Sequence, residues 1–108
     1  MTNDFYCENV FSGKVKVDIV KETDNVLAFY HTKPGWTTHI VIVPKQHILS
    51  LMEAEPELIK EIFTVAQSII REQKLNESNY KIIVNGGSFQ DSQHLHFHLV
   101  SGEKICLK

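Results

Sequence analysis

The sequence predicts an α+β domain: a mainly antiparallel five-stranded sheet packed with one long helix and a short helical turn. Three observations carry this. In Gln93-His94-Leu95-His96-Phe97-His98-Leu99-Val100, histidines and apolar residues alternate with the two-residue period of a strand that buries one face. Thr38-His39-Ile40-Val41-Ile42-Val43 is almost continuously β-branched and stops at Pro44, the pattern of a central strand buried on both faces. Between them, Leu58, Ile59, Ile62, Phe63, Ala66, Ile69 and Ile70 follow the i, i+3, i+4 spacing of an amphipathic helix. Strands on both sides of a single helix, joined by hairpin-like links, favour antiparallel pairing.

Along the chain, residues 5–13 form a leading segment that ends in a turn at Ser12-Gly13. Lys14-Val15-Lys16-Val17-Asp18-Ile19 alternates polar and apolar and predicts a first strand. Asp24-Asn25 is a turn, and Val26-Leu27-Ala28-Phe29-Tyr30 pairs back as the second strand. Lys33-Pro34-Gly35 makes a loop before the β-branched third strand. Beyond Pro44, Ser50 caps a short turn. Pro56 suits the first position of a helix predicted over 56–74, because its missing N–H is one that no helix uses there. Residues 76–79 are a polar loop, Tyr80–Val84 is the fourth strand, and Asn85-Gly86-Gly87 separates it from the histidine strand.

At 108 residues the chain is expected to fold as one domain spanning 1–108. A net charge of −2 and the lack of any Lys/Arg cluster argue against nucleic acid as a partner. No apolar run approaches the roughly 18 residues of a membrane span, so no membrane partner is expected. Met1-Thr2-Asn3-Asp4 has neither the basic nor the apolar region of a signal peptide. A cytoplasmic protein with Cys7 and Cys106 as reduced thiols is the expectation.

On a strand, His94, His96 and His98 share one face, successive imidazoles lying about 6.6 Å apart. Three readings are open on the residues alone. One is a solvated face with incidental histidines. A second is a catalytic zinc held by three imidazoles, with His39 and His47 as further ligands, although only Asp91 lies near enough to orient them. The third is nucleophilic catalysis at phosphorus. Neutral imidazole is competent near pH 7, a phospho-histidine bond is labile to water, and flanking histidines can donate hydrogen bonds to the phosphoryl oxygens.

His94-Leu95-His96-Phe97-His98-Leu99-Val100 resembles the signature of the histidine triad superfamily, His-φ-His-φ-His-φ-φ with φ apolar. The resemblance extends to Val26-Leu27-Ala28-Phe29, Pro34, Thr38 through Ile48 with its Pro44-Lys45-Gln46-His47-Ile48 ending, and Val84-Asn85-x-Gly87. It covers roughly residues 5–100, and the single-domain size points to the Hint-like branch. It implies a nucleotide hydrolase or nucleotidyl transferase, acting at the α-phosphorus of nucleoside 5′-phosphoramidates or related adenylates through a nucleotidyl-histidine. A dinucleoside polyphosphate hydrolase and a non-catalytic nucleotide-binding or scaffold protein are the alternatives. By position, His96 is the nucleophile, His98 contacts phosphate oxygens, and His94 and His39 shape the hydrogen bonds around them. Asn85 binds near the phosphate. Phe5, Tyr6, Val10, Phe29 and Tyr30 fall where the family lines its nucleobase pocket.

The resemblance also implies an AMP-like small molecule and a homodimer with joined sheets as partners, and no obligatory cofactor. His47 is a zinc ligand in some relatives; with Asp4 where those have a first cysteine, no tight structural zinc is expected. Lys45 reads as a solvated turn residue. Two departures stand out. His31 occupies the place of an aspartate that holds ribose hydroxyls, and it offers one acceptor in place of several. Gln90 matches the family, but Asp91 replaces a hydroxyl residue. Asp91 or Ser92 is then expected to contact the leaving group, Asp91 disfavouring strongly anionic ones.

Overall fold

Antiparallel pairing of β2 (Val26–Tyr30) with β3 (Trp36–Pro44) sets the middle of the sheet, from Val26 opposite Pro44 to Tyr30 opposite Ile40. The computed structural model describes residues 5–105, in which five strands form one sheet ordered β1-β2-β3-β5-β4. β1 (Ile19–Glu22), β4 (Lys81–Val84) and β5 (Phe97–Lys104) complete it, and all four pairings are antiparallel. This is the predicted fold class. Asp4 and Cys106, which bear on the zinc and thiol expectations, lie outside the described residues.

Helix α1 (Pro56–Glu72) begins with Pro at its first position, carries Glu57 in the first turn and Arg71 in the last, and so complements its own dipole at both ends. It stops two residues before the expected end because Lys74 adopts a left-handed conformation, φ 58°. Ile62, Val65, Ala66 and Ile69 are buried against Val26, Ala28, Ile40, Ile42, Leu95, Phe97 and Leu99. Each of the larger helix side chains contributes about 1.5–3 kcal/mol by leaving water. No helix of the described residues is long and apolar enough to cross a membrane.

The opposite face of β2 and β3 presents Leu27, Phe29, Val41 and Val43, covered by Tyr6 and Val10 of the π-helical turn Tyr6–Val10. Both faces of these strands are thus buried, which accounts for their unbroken apolar runs. The strand predicted over 14–19 is displaced: β1 is Ile19–Glu22. β2 ends at Tyr30, so the chain before Asp18 has no neighbour to pair with; Tyr30 N–H donates to the Asp18 carbonyl at 3.0 Å. Val17 packs on the second apolar cluster in place of a ladder position. The histidine segment differs in a similar way. Regular pairing begins only at Phe97, so His98 lies on β5 while His94 and His96 precede the ladder. Between them, Leu95 N–H donates to the Ile48 carbonyl at 2.7 Å. The alternation survives, since Leu95, Phe97 and Leu99 enter the helix-side core. Gly102 (φ 84°) is required where β5 passes β3, because a Cβ there would stand 2.7 Å from that of Thr37.

Candidate active site

The site lies on the sheet face away from α1. Phe5, Tyr6, Phe29 and Val41 form the apolar walls of a cavity of about 250 Å³, and His31, Thr32, Lys33, Asp91 and Ser92 supply its polar lining. Strand geometry makes the division. Phe29 faces the cavity; Tyr30, one residue on, is on the helix side, where its hydroxyl accepts a hydrogen bond from Gln73 at 3.1 Å. Tyr30 is therefore not a pocket wall, contrary to expectation. Val10 is buried behind Tyr6 and supports the wall without lining it.

The backbone fixes which imidazole nitrogens carry protons. His96 Nδ1–H donates to the His94 carbonyl (2.8 Å), so in the neutral ring Nε2 holds the lone pair. That Nε2 is 3.5 Å from the carboxylate of Asp91, whose side chain is exposed. Tyr6 packs over the same ring, with centroids 5.2 Å apart. His39 Nδ1 accepts the Gly35 N–H at 2.8 Å, so its proton sits on Nε2, which donates to His98 Nδ1 at 2.9 Å. His98 is left with a donor at Nε2. His31 follows the same logic: Lys33 N–H donates to its Nδ1 (2.9 Å), and it stacks on His39 with centroids 4.4 Å apart. The site thus sets one bare nitrogen, on His96, among imidazoles that present N–H.

Burial, and for His39 the charge of His31, holds the pKa of His39 down at about 4. Burial and then His96, His39 and His31 do the same for His98, also about 4. Burial lowers His31 against the opposing pull of Asp91. The relay from Gly35 is therefore neutral at physiological pH. An unfolded histidine takes up its proton near pH 6.5, whereas the folded pair resists until about pH 4. Stability is fully present above pH 6.5 and is lost as the pH falls toward 4. Urea midpoints measured at steps through that window should fall, and the slope should flatten in His39→Gln; a wild-type profile as flat as that of the variant refutes this.

Two clusters among the described residues could hold a metal: Cys7, His47 and His94, and His31, His39 and His98. Their lone pairs separate them. His31 and His39 each turn Nδ1 to a backbone N–H, and His98 turns it to His39, so the second cluster has no lone pair to give without breaking its own hydrogen bonds. In the first, His94 Nε2–H donates to the Pro44 carbonyl (2.7 Å), which leaves Nδ1 facing Cys7 Sγ at 3.5 Å; His47 Nδ1 is 3.9 Å from the same sulfur. Those separations suit ligands spaced around a tetrahedral zinc with bonds of about 2.0–2.3 Å. The triad histidines do not converge on one ion: His94 and His98 fall in different clusters and His96 in neither.

The remaining expected residues are dispersed. Asn85 follows β4 and lines a separate hollow of about 200 Å³ with Leu51 and Met52. Gln90 donates to the Leu49 carbonyl, tying down the loop before the triad. Lys45 pairs with Glu22 at 2.6 Å. Gly35 as origin of the relay and Cys7 beside His94 were not expected, and nothing local in the sequence signals either.

The HIT domain profile matches residues 12–105. An HIT-like protein of Synechococcus elongatus is 32% identical over 111 residues, 98% of this chain and 96% of its own. A histidine triad protein from Clostridium difficile superposes with a TM-score of 0.83 at 29% identity, covering 100% of this chain and 97% of the other. A HIT family hydrolase from Legionella pneumophila Philadelphia 1 does so with a TM-score of 0.84 at 29% identity, covering 96% of each. With that profile matched over residues 12–105, a span that includes the triad segment, the chain belongs to the HIT domain family.

Proposed function

We propose that the protein is a nucleotide hydrolase or nucleotidyl transferase of the Hint-like branch, acting on nucleoside 5′-phosphoramidates or related adenylates. The observation that carries this is the hydrogen bond from His96 Nδ1–H to the His94 carbonyl, which leaves Nε2 bare beside Asp91 on the cavity wall. The Legionella neighbour, described as a HIT family hydrolase, supports hydrolysis. The nucleobase rests against Phe5, Tyr6 and Phe29, and the α-phosphate reaches His96 and His98. His96 Nε2 attacks phosphorus, forming a nitrogen–phosphorus bond as the bond to the leaving amine breaks. The departing amine takes its proton from solvent, which reaches it past the exposed Asp91. His98 Nε2–H donates to a phosphoryl oxygen as charge develops there. Water then attacks the same phosphorus as its bond to His96 Nε2 breaks, the Asp91 carboxylate accepting the water's proton and passing it to solvent, and AMP and His96 are released.

The test is turnover of adenosine 5′-phosphoramidate by chelator-treated wild type and His96→Ala, with intact-protein mass spectrometry. Metal-free activity and an adduct of one AMP, both lost in the variant, are expected. AMP binding with no turnover by the wild type overturns the enzymatic reading in favour of a nucleotide-binding protein. Preference for dinucleoside polyphosphates over amine leaving groups would move the substrate to that class, which the negative Asp91 disfavours. A homodimer in the cytoplasm is the proposed setting; β4 is an outer strand of the sheet, where a second copy would extend it.

A zinc ion held by Cys7, His47 and His94 would be structural, joining the π-helical turn to the triad segment. With His96 outside that set, no catalytic step depends on it. Added zinc is expected to raise the melting temperature of chelator-treated protein by a few degrees and to leave turnover standing. Cys7→Ala should abolish the rise. An equal rise in that variant would rule this donor set out.

A further inference from the structure

We propose that Trp36, Lys81 and Lys104 form a second ligand site, for a small oxyanion carrying two negative charges; nothing in this depends on the nucleotide reading above. Trp36 opens β3, Lys81 opens β4 and Lys104 closes β5, so antiparallel pairing gathers the three at one end of the sheet. The Lys81 and Lys104 ammoniums lie 5.2 and 5.8 Å from the centre of the Trp36 ring. Beside them is a hollow of about 240 Å³, whose lining includes Trp36, Asn79, Lys81, Val100, Ser101 and Gly102 and shares no residue with the cavity at Tyr6 and Phe29. Strand register sets it on the triad's face of the sheet. Lys81 stands opposite Val100 and Val100 opposite His39; two positions along, Ile83 stands opposite His98. Cross-strand partners share a face, so the hollow opens about 6.6 Å beyond the His98 row. Trp36 separates the two, its ring meeting that of His39 edge-on with centroids 5.6 Å apart.

The donors of this hollow are uncommitted. Neither Lys81 nor Lys104 pairs with a carboxylate among the described residues, and no acidic side chain lines the hollow. The indole attracts both ammoniums, which holds two like charges near one ring with no protein anion to neutralise them. An ammonium has three donors and no acceptor, so the N–H groups turned away from the ring remain available to an anion. Asn79 adds another donor. Its Oδ1 accepts the Gly102 N–H at 2.7 Å, which leaves the amide NH₂ without a partner among the described residues. The nearby Asn79 carbonyl is already taken by the Ser101 hydroxyl at 2.6 Å. A site that offers donors and two positive charges selects a doubly negative oxygen-bearing group, a phosphate or a dicarboxylate.

Trp36 is the only tryptophan in the chain, so its fluorescence reports this site directly. Titration with inorganic phosphate and, separately, with malonate should change the emission saturably, at a midpoint on the order of millimolar that rises with added salt. The tighter of the two probes assigns the ligand to phosphorylated compounds or to dicarboxylates. In Lys81→Gln/Lys104→Gln the midpoint should rise about tenfold, while the melting temperature without anion moves by no more than a few degrees. Lys81→Arg/Lys104→Arg should keep the binding, and Lys33→Gln, which alters the other cavity, should leave the midpoint where it is. No saturable change in the wild type overturns the proposal. So does an unaltered midpoint in the double glutamine variant, which would make the lysines a structural cover for the indole. A midpoint that shifts in Lys33→Gln and not in the double variant places the anion in the triad cavity and overturns it too.

Discussion

In His96→Ala, turnover of adenosine 5′-phosphoramidate should fall at least about a thousandfold, with AMP affinity changed only a few-fold. The reason for the split is spatial. The apolar cavity walls, where the proposed nucleoside would rest, are Phe5, Tyr6, Phe29 and Val41; Tyr6 touches the His96 ring, but Tyr6, Phe29 and Val41 are also buried together against the sheet. The bare Nε2 belongs to His96 alone: His39 and His98 spend their Nδ1 lone pairs in the relay, and His94 turns its remaining nitrogen toward Cys7. No neighbour can substitute as nucleophile. Single-turnover kinetics beside calorimetric AMP binding would check this, and a residual rate within tenfold of wild type would remove His96 from that role.

One residue on, Phe97→Ala should leave the imidazoles chemically intact and cost stability, about 3–5 kcal/mol. Phe97 is 2% exposed, pairs with Ile42 and Val84 across the sheet, and meets the ring of Phe63 edge-on with centroids 5.7 Å apart. Truncation opens a void between sheet and helix. For a domain of this size each kcal/mol moves Tm by roughly 4–8 °C, and total stability is commonly only about 5–15 kcal/mol. Urea unfolding followed by circular dichroism gives the number. A loss below about 1.5 kcal/mol would mean that Phe63 and α1 collapse into the space.

That adjacent positions should fail so differently follows from alternation, which is legible in the order of residues alone. Leu95, Phe97 and Leu99 enter the core, and His94, His96 and His98 face away from it. β2 occupies the predicted Val26–Tyr30, and α1 begins at Pro56 as its spacing requires. Where the expected elements differ from those observed, the missing quantity is a partner. Lys14–Asp18 has a strand's alternation but lies beyond the end of β2. Tyr30 has a pocket's chemistry, yet the strand turns it toward Gln73.

The amino-acid sequence by itself determines the fold class, the family resemblance and the face each triad residue occupies, because side-chain period is a local property of the backbone. The proton positions need the folded chain. Gly35 donates to His39 and His39 to a histidine 59 positions away, and Cys7 meets His94 across 87 residues. A local pattern cannot encode which lone pair a distant N–H or carbonyl will occupy. That is set by how the sheet brings β3, β5 and the leading turn together, and the chemistry of the site depends on it.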